Sequence, residues 1–196
     1  MARRAQGSNQ YRTRAGSADV RSITDMSDQA ARVAHGGLKL LQASAADLAS
    51  GMDTPLSTLA RLAIDSRMTV RGLVAKNPNC PPQLLEQLAE DNRMEVRMEV
   101  ADHARCPIEV LEQLAGDRHR AVRLVVSANG RTPPETLAHL AHDPYHVVRR
   151  SVASNDGCPP QVLVQLLGDK DEMVRQRAAA NGSLPPEYRV LGPVAQ

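Results

Sequence analysis

Hydrophobic residues recur along this chain with a period of 26 residues, from residue 54 to near the C-terminus. In each of five complete units, leucines stand at the sixth and ninth positions, and a valine stands at the seventeenth position. Apolar residues spaced three or four apart are typical of one face of an α-helix. The pattern therefore predicts two short amphipathic helices per unit. The leucine pairs are Leu59/Leu62, Leu85/Leu88, Leu111/Leu114, Leu137/Leu140 and Leu163/Leu166.

Proline marks the second position of every unit, and it recurs as Pro55, Pro81, Pro107, Pro133, Pro159 and Pro185. Proline suits the first turn of a helix, so we expect the first helix of each unit to begin there. Thr132 and Glu135 add a capping-box pattern in the fourth unit. The twelfth position is always Asp, which is predicted to cap the second helix. An Asn near the end of most units predicts where that helix stops.

A unit of two short helices cannot bury its apolar stripes alone, whereas stacked units bury them against their neighbours. The predicted fold class is all-α, a right- or left-curved helical solenoid of five 26-residue repeats plus a partial sixth. The five repeats occupy residues 54–183. Residues 184–196 are predicted to form the partial repeat and the C-terminal cap.

The N-terminal part of the chain does not follow the repeat. Residues 1–23 carry five arginines against one aspartate and are rich in Gly, Ser and Gln, so they are predicted to form a disordered basic arm. Residues 24–53 have helical patterns over 27–35 and 38–50. They are predicted to form a helical N-terminal cap that shields the first repeat from water.

The stretch VRGLVAKNPNCPPQLLEQLAED, residues 70–91, resembles the leucine-rich repeat variant, an all-helical solenoid unit. The resemblance covers residues 54–196. The constant Asp-to-Arg spacing of six residues is also similar to HEAT-like repeats, in which such pairs form a ladder. The resemblance implies the fold and a binding-scaffold role. The variant family is also associated with a cysteine-bound iron–sulfur cluster before the repeats, but residues 1–79 contain no cysteine, so no cofactor is expected.

Composition narrows the class of protein further. The chain has no Phe or Trp, and its formal net charge of +2 creates no overall field towards nucleic acid or membrane. No apolar run reaches the roughly 18 residues of a membrane span, and no secretory signal is recognised. Three cysteines argue against a disulfide framework. We therefore expect a cytoplasmic location, and the Arg- and Ala-rich, Lys-poor composition hints at a bacterial source.

Asp at the twelfth position and Arg at the eighteenth occur in all five units. Catalysis requires one site and not five, so we interpret pairs such as Asp65 with Arg71 as a structural ladder. Its residues are Asp65, Arg71, Asp91, Arg97, Asp117, Arg123, Asp143, Arg149, Asp169 and Arg175. Cys80, Cys106 and Cys158 share one repeat position, where we expect small buried residues between helices.

Residues that vary on the second helices are the best candidates for a binding surface, since solenoids bind through unit-specific residues on a shared framework. The surface is Met-rich at first and basic in the middle, which suits contacts with another protein. Because no phosphate loop, nucleophile elbow or HExxH motif is present, a non-enzymatic protein-binding scaffold is the leading hypothesis. The candidate binding residues are Met94, Met98, Arg120, Leu124, Tyr145, His146 and Arg150.

Two alternatives remain open. The N-terminal arm with a basic patch on repeats 3 and 4 would bind nucleic acid, although the charges of repeats one to five (+3, −3, +1, −1 and 0) do not form a basic stripe. His139, His142 and His146 would centre a metal-binding or enzymatic protein on repeat 4. The partner's identity and the oligomeric state are not predicted.

Overall fold

A computed structural model describes residues 44–189, which contain twelve α-helices and no strand. The predicted basic arm, the helix expected over 27–35 and residues 190–196 lie outside the described residues. The helices are α1 (Ala45–Ser50), α2 (Leu56–Leu62), α3 (Met68–Lys76), α4 (Pro82–Ala89), α5 (Met94–Asp102), α6 (Ile108–Ala115), α7 (Arg120–Ala128), α8 (Pro134–Leu140), α9 (His146–Ser154), α10 (Pro160–Leu166), α11 (Glu172–Ala180) and α12 (Pro186–Arg189).

The helices alternate as the period predicts, so that the chain is an all-α repeat solenoid. Even-numbered helices from α2 to α10 are the first helices of repeats one to five, and α3 to α11 are the second helices. Each second helix packs against the second helix of the next repeat, and the contact between successive first helices is less extensive. The second helices therefore form the closely spaced layer of the stack.

The leucines and valines of the repeat pattern fill a continuous core. The sixth-position leucines from Leu59 to Leu163 are fully buried, as are the valines Val74, Val100, Val126 and Val152. Burying one such side chain stabilises the fold by about 1.5–3 kcal/mol. Because every repeat contributes the same set, the core runs from one repeat into the next without interruption.

Each first helix begins one residue later than expected. Pro55 is extended (φ −58°, ψ 143°) and serves as the N-cap, and its carbonyl accepts the Leu59 N–H at 3.0 Å. The capping box predicted at Thr132 is wrong, because its hydroxyl donates to the Val126 carbonyl at 2.6 Å. That bond satisfies a buried hydroxyl at the position that cysteine occupies in other repeats.

The repeated Asp does not cap the second helix in the way the sequence predicts. The N-cap of α3 is Arg67, two residues after Asp65, and the Asp65 carboxylate accepts the Arg67 N–H at 2.9 Å. The same Asx turn precedes each second helix. The turn leaves part of the carboxylate available to the preceding repeat, which the capping prediction did not anticipate.

Buried asparagines at the ends of the second helices join adjacent repeats. The Asn155 amide donates to the carbonyls of Ser127 and Asn129 in the preceding repeat, at 2.9 and 3.2 Å. Its side-chain oxygen accepts the Gly157 N–H at 2.8 Å. One side chain thus satisfies three backbone groups across a repeat boundary. Asn77 and Asn181 make the same three bonds. The half-buried Asn129 makes two of them, to the Ala101 carbonyl and from the Arg131 N–H.

His103 takes the asparagine position in the second repeat. Its Nδ1 accepts the Arg105 N–H at 3.1 Å, and its Nε2 lies 3.1 Å from the Asn77 carbonyl oxygen. These partners assign the neutral tautomer with its proton on Nε2. The imidazole therefore replaces the asparagine amide as a donor to the preceding repeat and an acceptor from its own turn.

Helix α1 is the second helix of a degenerate unit that precedes repeat one. Ser44 is extended and forms a capping box with Asp47, so α1 begins after Ser44. The prediction of one continuous helix over 38–50 is therefore wrong. The amide of Asn77 donates to the carbonyls of Ala49 and Gly51, as the other asparagines do to their preceding repeats. The repeat geometry therefore begins before Thr54.

None of the helices between residues 44 and 189 is long and apolar enough to cross a lipid bilayer.

Candidate functional site

An Asp–Arg ladder holds the second helices in register, and its pairs run between repeats. Arg149 of repeat four donates Nε and Nη2 to the two carboxylate oxygens of Asp169 in repeat five, at 2.6 and 2.8 Å. Its Nη1 donates to the main-chain carbonyl of Asp143 in its own repeat, at 2.8 Å. A bidentate bond of this kind is both strong and directional. The other carboxylate pairs are Arg71–Asp91, Arg97–Asp117 and Arg123–Asp143.

The pairing within one repeat that the sequence favoured is therefore wrong in its details. Arg71 bonds Asp65 only through the Asp65 main-chain carbonyl, at 2.7 Å, while its carboxylate partner is Asp91. The Asp65 carboxylate instead pairs with the exposed Arg67. The position one period before Arg71 is Ala45, so the repeat register places no ladder arginine opposite Asp65.

Burial and pairing act in opposite directions on the ladder carboxylates. Burial opposes the ionisation of Asp91, Asp117 and Asp169, but bonds from the preceding repeat's arginine and from a backbone N–H outweigh it. The pKa of each of these carboxyls is therefore held below its usual range. At neutral pH these three carboxyls form charged pairs with their arginines, and the Arg149 and Asp169 side chains are only 6% and 8% exposed.

Cys80, Cys106 and Cys158 are buried free thiols, one in each of three repeats. The Sγ atoms of Cys80 and Cys158 lie 3.9 Å from the carbonyl oxygen of the proline that follows. Burial raises the pKa of these thiols to about 11, 12 and 11 in chain order. A thiol in this environment is a poor metal ligand and a poor nucleophile, so these residues do not fit a cysteine-bound cluster.

We expect all three thiols to react slowly with DTNB at pH 8 in the folded protein and rapidly in 6 M guanidinium chloride. The thiolate is the reactive species, and burial keeps its population very small at this pH. Absorbance at 412 nm measures both rates on one sample. Fast labelling of a native thiol would contradict its buried position.

The structure does not bring the repeat-four histidines together as a metal site. His139, His142 and His146 are all exposed, on α8, on the turn that follows it and at the start of α9. Between residues 44 and 189, no group of three or more His, Cys, Asp or Glu side chains is arranged to hold a metal ion.

The outer faces of the second helices form one surface, which we call the second-helix surface. It is built from the first, second, fifth, sixth and ninth residues of α3, α5, α7, α9 and α11, which alternate with the buried valines. Side chains of neighbouring repeats meet with a constant offset. The Arg150 Nη1 lies 3.7 Å from the Met173 sulfur, and Lys76 lies 4.0 Å from Glu99. Arg150 is the fifth residue of α9 and Met173 the second of α11, while Lys76 is the ninth residue of α3 and Glu99 the sixth of α5. In both pairs, the residue in the later helix therefore stands three positions closer to the start of its helix.

Most of the predicted binding residues lie on this surface, but they are unequally exposed. Arg120, Tyr145 and His146 are exposed, and the Arg120 guanidinium lies 5.0 Å from the centre of the Tyr145 ring. Arg123 of the ladder lies 5.8 Å from the same ring. Such cation–π contacts hold the ring in place. Met94, Met98, Leu124 and Arg150 are half-buried, and the first three also pack against the core.

The sequence interpretation missed part of the surface, because all of its candidates within the second helices are the first or fifth residues of those helices. Val125 and Val147 are half-buried apolar residues at the sixth and second positions, and Met173 is 46% exposed. Leu124 and Val147 occupy the two helix positions that bring Arg150 close to Met173 one repeat later. With Met98, these residues supply partly exposed apolar side chains to the second-helix surface in repeats two to five, and we call this set the apolar row. The missing signal was variation at the second, sixth and ninth positions, which also change from repeat to repeat.

Charges of both signs lie beside the residues of this apolar row. Repeat two contributes Glu95, Glu99 and Asp102, which are exposed or half-exposed. Repeats three and four contribute Arg120 and Arg150. Lys76 and Arg93 approach Glu99 and Glu95 only at 4.0 and 3.7 Å, so the acidic group is partly neutralised at most. The arrangement can accept apolar side chains together with charges of both signs.

Comparison with known proteins agrees with the repeat assignment. The family model of the leucine rich repeat variant domain matches residues 43–104. A solved structure described as a leucine-rich repeat variant with a novel repetitive protein structural motif is 32% identical, and the match covers 69% of each chain with a TM-score of 0.36. No curated protein matches the sequence.

A repeat scaffold of this kind supports a binding role in general, and the leucine-rich repeat variant is not a known enzyme family. The family model and the sequence identity together show the same unit that the 26-residue period defines. The chain belongs to the leucine-rich repeat variant family.

Proposed function

We propose that this protein is a non-enzymatic scaffold that binds another protein through the second-helix surface. The observation that carries the proposal is the apolar row of Met98, Leu124, Val125, Val147 and Met173, which stays partly exposed although its neighbours are buried. Apolar rows bordered by charge are typical of sites that bind amphipathic polypeptides. Half-buried methionines add adaptable contacts.

The charges favour a polypeptide over nucleic acid as the ligand. A phosphate backbone that followed the surface from Arg150 towards repeat two would meet Glu95, Glu99 and Asp102. A polypeptide with acidic residues opposite Arg120 and Arg150, and basic residues opposite the acidic group, meets no such repulsion. The ladder arginines of repeats one to four are paired with aspartates and add little free charge to a phosphate site.

We expect the triple variant Met98→Glu, Leu124→Glu and Arg150→Glu to lose at least tenfold in affinity for the partner protein. The substitutions place charge in the apolar row and reverse the charge of the arginine beside it, and central contacts of an interface carry most of its free energy. A tagged chain captures proteins from nuclease-treated native lysate. The captured partner is then purified, and its Kd for each variant is measured by calorimetry.

The matched control is Glu86→Lys with Glu112→Lys, which changes exposed residues on the first helices α4 and α6. It is expected to bind as the wild-type chain does, and far-UV circular dichroism checks that all variants are folded. Equal binding by the triple variant would remove the second-helix surface as the site. Capture that disappears on nuclease treatment would instead make nucleic acid the ligand.

A further inference from the structure

The Asp–Arg ladder has one arginine without a carboxylate partner in the described part of the chain. In repeats one to four, the eighteenth-position arginine holds the aspartate of the next repeat by two bonds. In repeat five the same position is Arg175. No carboxylate among residues 44–189 reaches it.

The Arg175 guanidinium is nevertheless held as its equivalents are. Its Nη1 donates to the carbonyls of Asp169 and Lys170 at 2.8 and 3.2 Å. Arg149 makes the same two bonds, to the carbonyls of Asp143 and Pro144, at 2.8 and 3.3 Å. The Nε and Nη2 groups of Arg175 are therefore oriented as in the four closed pairs. We call these two groups the open ladder end.

The Nε of Arg175 is also shielded from water without a hydrogen-bond acceptor among the described residues. Shielded donors of this kind are rare in folded proteins and mark places where a partner group belongs. One period after Asp169 the sequence has Ala195, so the repeat register supplies no carboxylate to Arg175.

From these observations we infer that the open ladder end binds the carboxylate of an aspartate or glutamate from another polypeptide, which docks end-on after repeat five. Four copies of the same fork show the geometry, with Nε–O distances of 2.5 to 2.6 Å. In each copy the carboxylate also accepts a backbone N–H of its own turn, at 2.8–2.9 Å. A carboxylate in such a turn has already exchanged part of its water for the backbone N–H, so binding to the shielded Nε costs it less desolvation than it costs a free anion.

The test uses the full chain, labelled with ¹⁵N, and follows the Arg175 Nε–H signal by NMR. The probe is a synthetic peptide of residues 140–147, which carries Asp143 with the N–H groups of its turn and requires no folded repeat. The control probe is the same peptide with Asp143→Asn, which has the same shape and no charge. Sodium acetate, at the same concentration as the peptide, tests whether a free carboxylate is sufficient.

We expect a saturable shift of the Arg175 signal with the Asp143 peptide and at least tenfold weaker binding of the Asn peptide, because a bidentate bond to a charged group is lost. The Nε–H signals of Arg97, Arg123 and Arg149 are already engaged and are expected to stay in place. The variant Arg175→Lys, which lacks the fork, is expected to lose the response. Equal binding of both peptides, the absence of a shift, or an equal response to acetate would each overturn the inference.

Discussion

Replacing Arg149 with alanine is expected to lower the free energy of unfolding by about 3–5 kcal/mol, the cost typical of removing one partner of a buried ion pair. The change leaves the carboxylate of Asp169 buried with only the Asp171 N–H as a partner, at 2.8 Å. It also removes the bond to the Asp143 carbonyl, which loses its donor. Urea unfolding followed by circular dichroism at 222 nm measures the change.

The matched control is Arg67→Ala. Arg67 also bonds an aspartate, Asp65, but its side chain is 60% exposed. An exposed ion pair contributes at most about 1 kcal/mol. If Arg149→Ala cost no more than Arg67→Ala, the ladder would contribute little to stability. The double variant with Asp169→Ala separates the energy of the pair from the cost of the unpaired carboxylate.

Asn155→Asp is expected to destabilise the protein by about 3 kcal/mol although the two side chains have nearly the same shape. The substitution replaces the amide that donates to the Ser127 and Asn129 carbonyls with an acceptor. Two buried carbonyls then face a carboxylate, and the Gly157 N–H is the only donor among the three backbone groups that the side chain contacts. Urea unfolding at pH 7 measures the change against wild type.

Asn155→Ala separates the two effects, because it removes the donor and adds no charge. It is expected to cost about 1–2 kcal/mol, less than Asn155→Asp. Asn92→Ala changes an exposed asparagine and is expected to stay within about 0.5 kcal/mol of wild type. A loss as small for Asn155→Asp as for Asn92→Ala would show that the asparagine bonds between repeats contribute nothing to stability.

The fold can be predicted from the sequence because the spacing of apolar residues that specifies the two helices lies within each repeat and occurs five times. Leu85, Leu88, Val96 and Val100 occupy positions that only a pair of short helices places on one buried side, and all four are buried. The repeated proline predicts where each first helix starts to within one residue. A signal that recurs five times identifies these elements with few alternatives.

The candidate site was predicted less completely. Arg120 and Tyr145 are exposed on the second-helix surface as expected, but Met94 and Met98 are half-buried against the core. Val125, Val147 and Met173 were missed. How much of a side chain remains exposed depends on the offset between neighbouring helices, and the helical period of one helix does not contain that offset.

By itself the sequence determined the repeat unit, its two helices, its buried positions and the family. Only the tertiary structure decided which repeat each polar side chain bonds. A bond from Arg71 to Asp65 and a bond from Arg71 to Asp91 recur with the same 26-residue period, so the sequence cannot distinguish a partner within one repeat from a partner in the next. The stacking of second helices brings the eighteenth position of one repeat beside the twelfth position of the following repeat. That contact closes four pairs of the ladder and leaves Arg175 open.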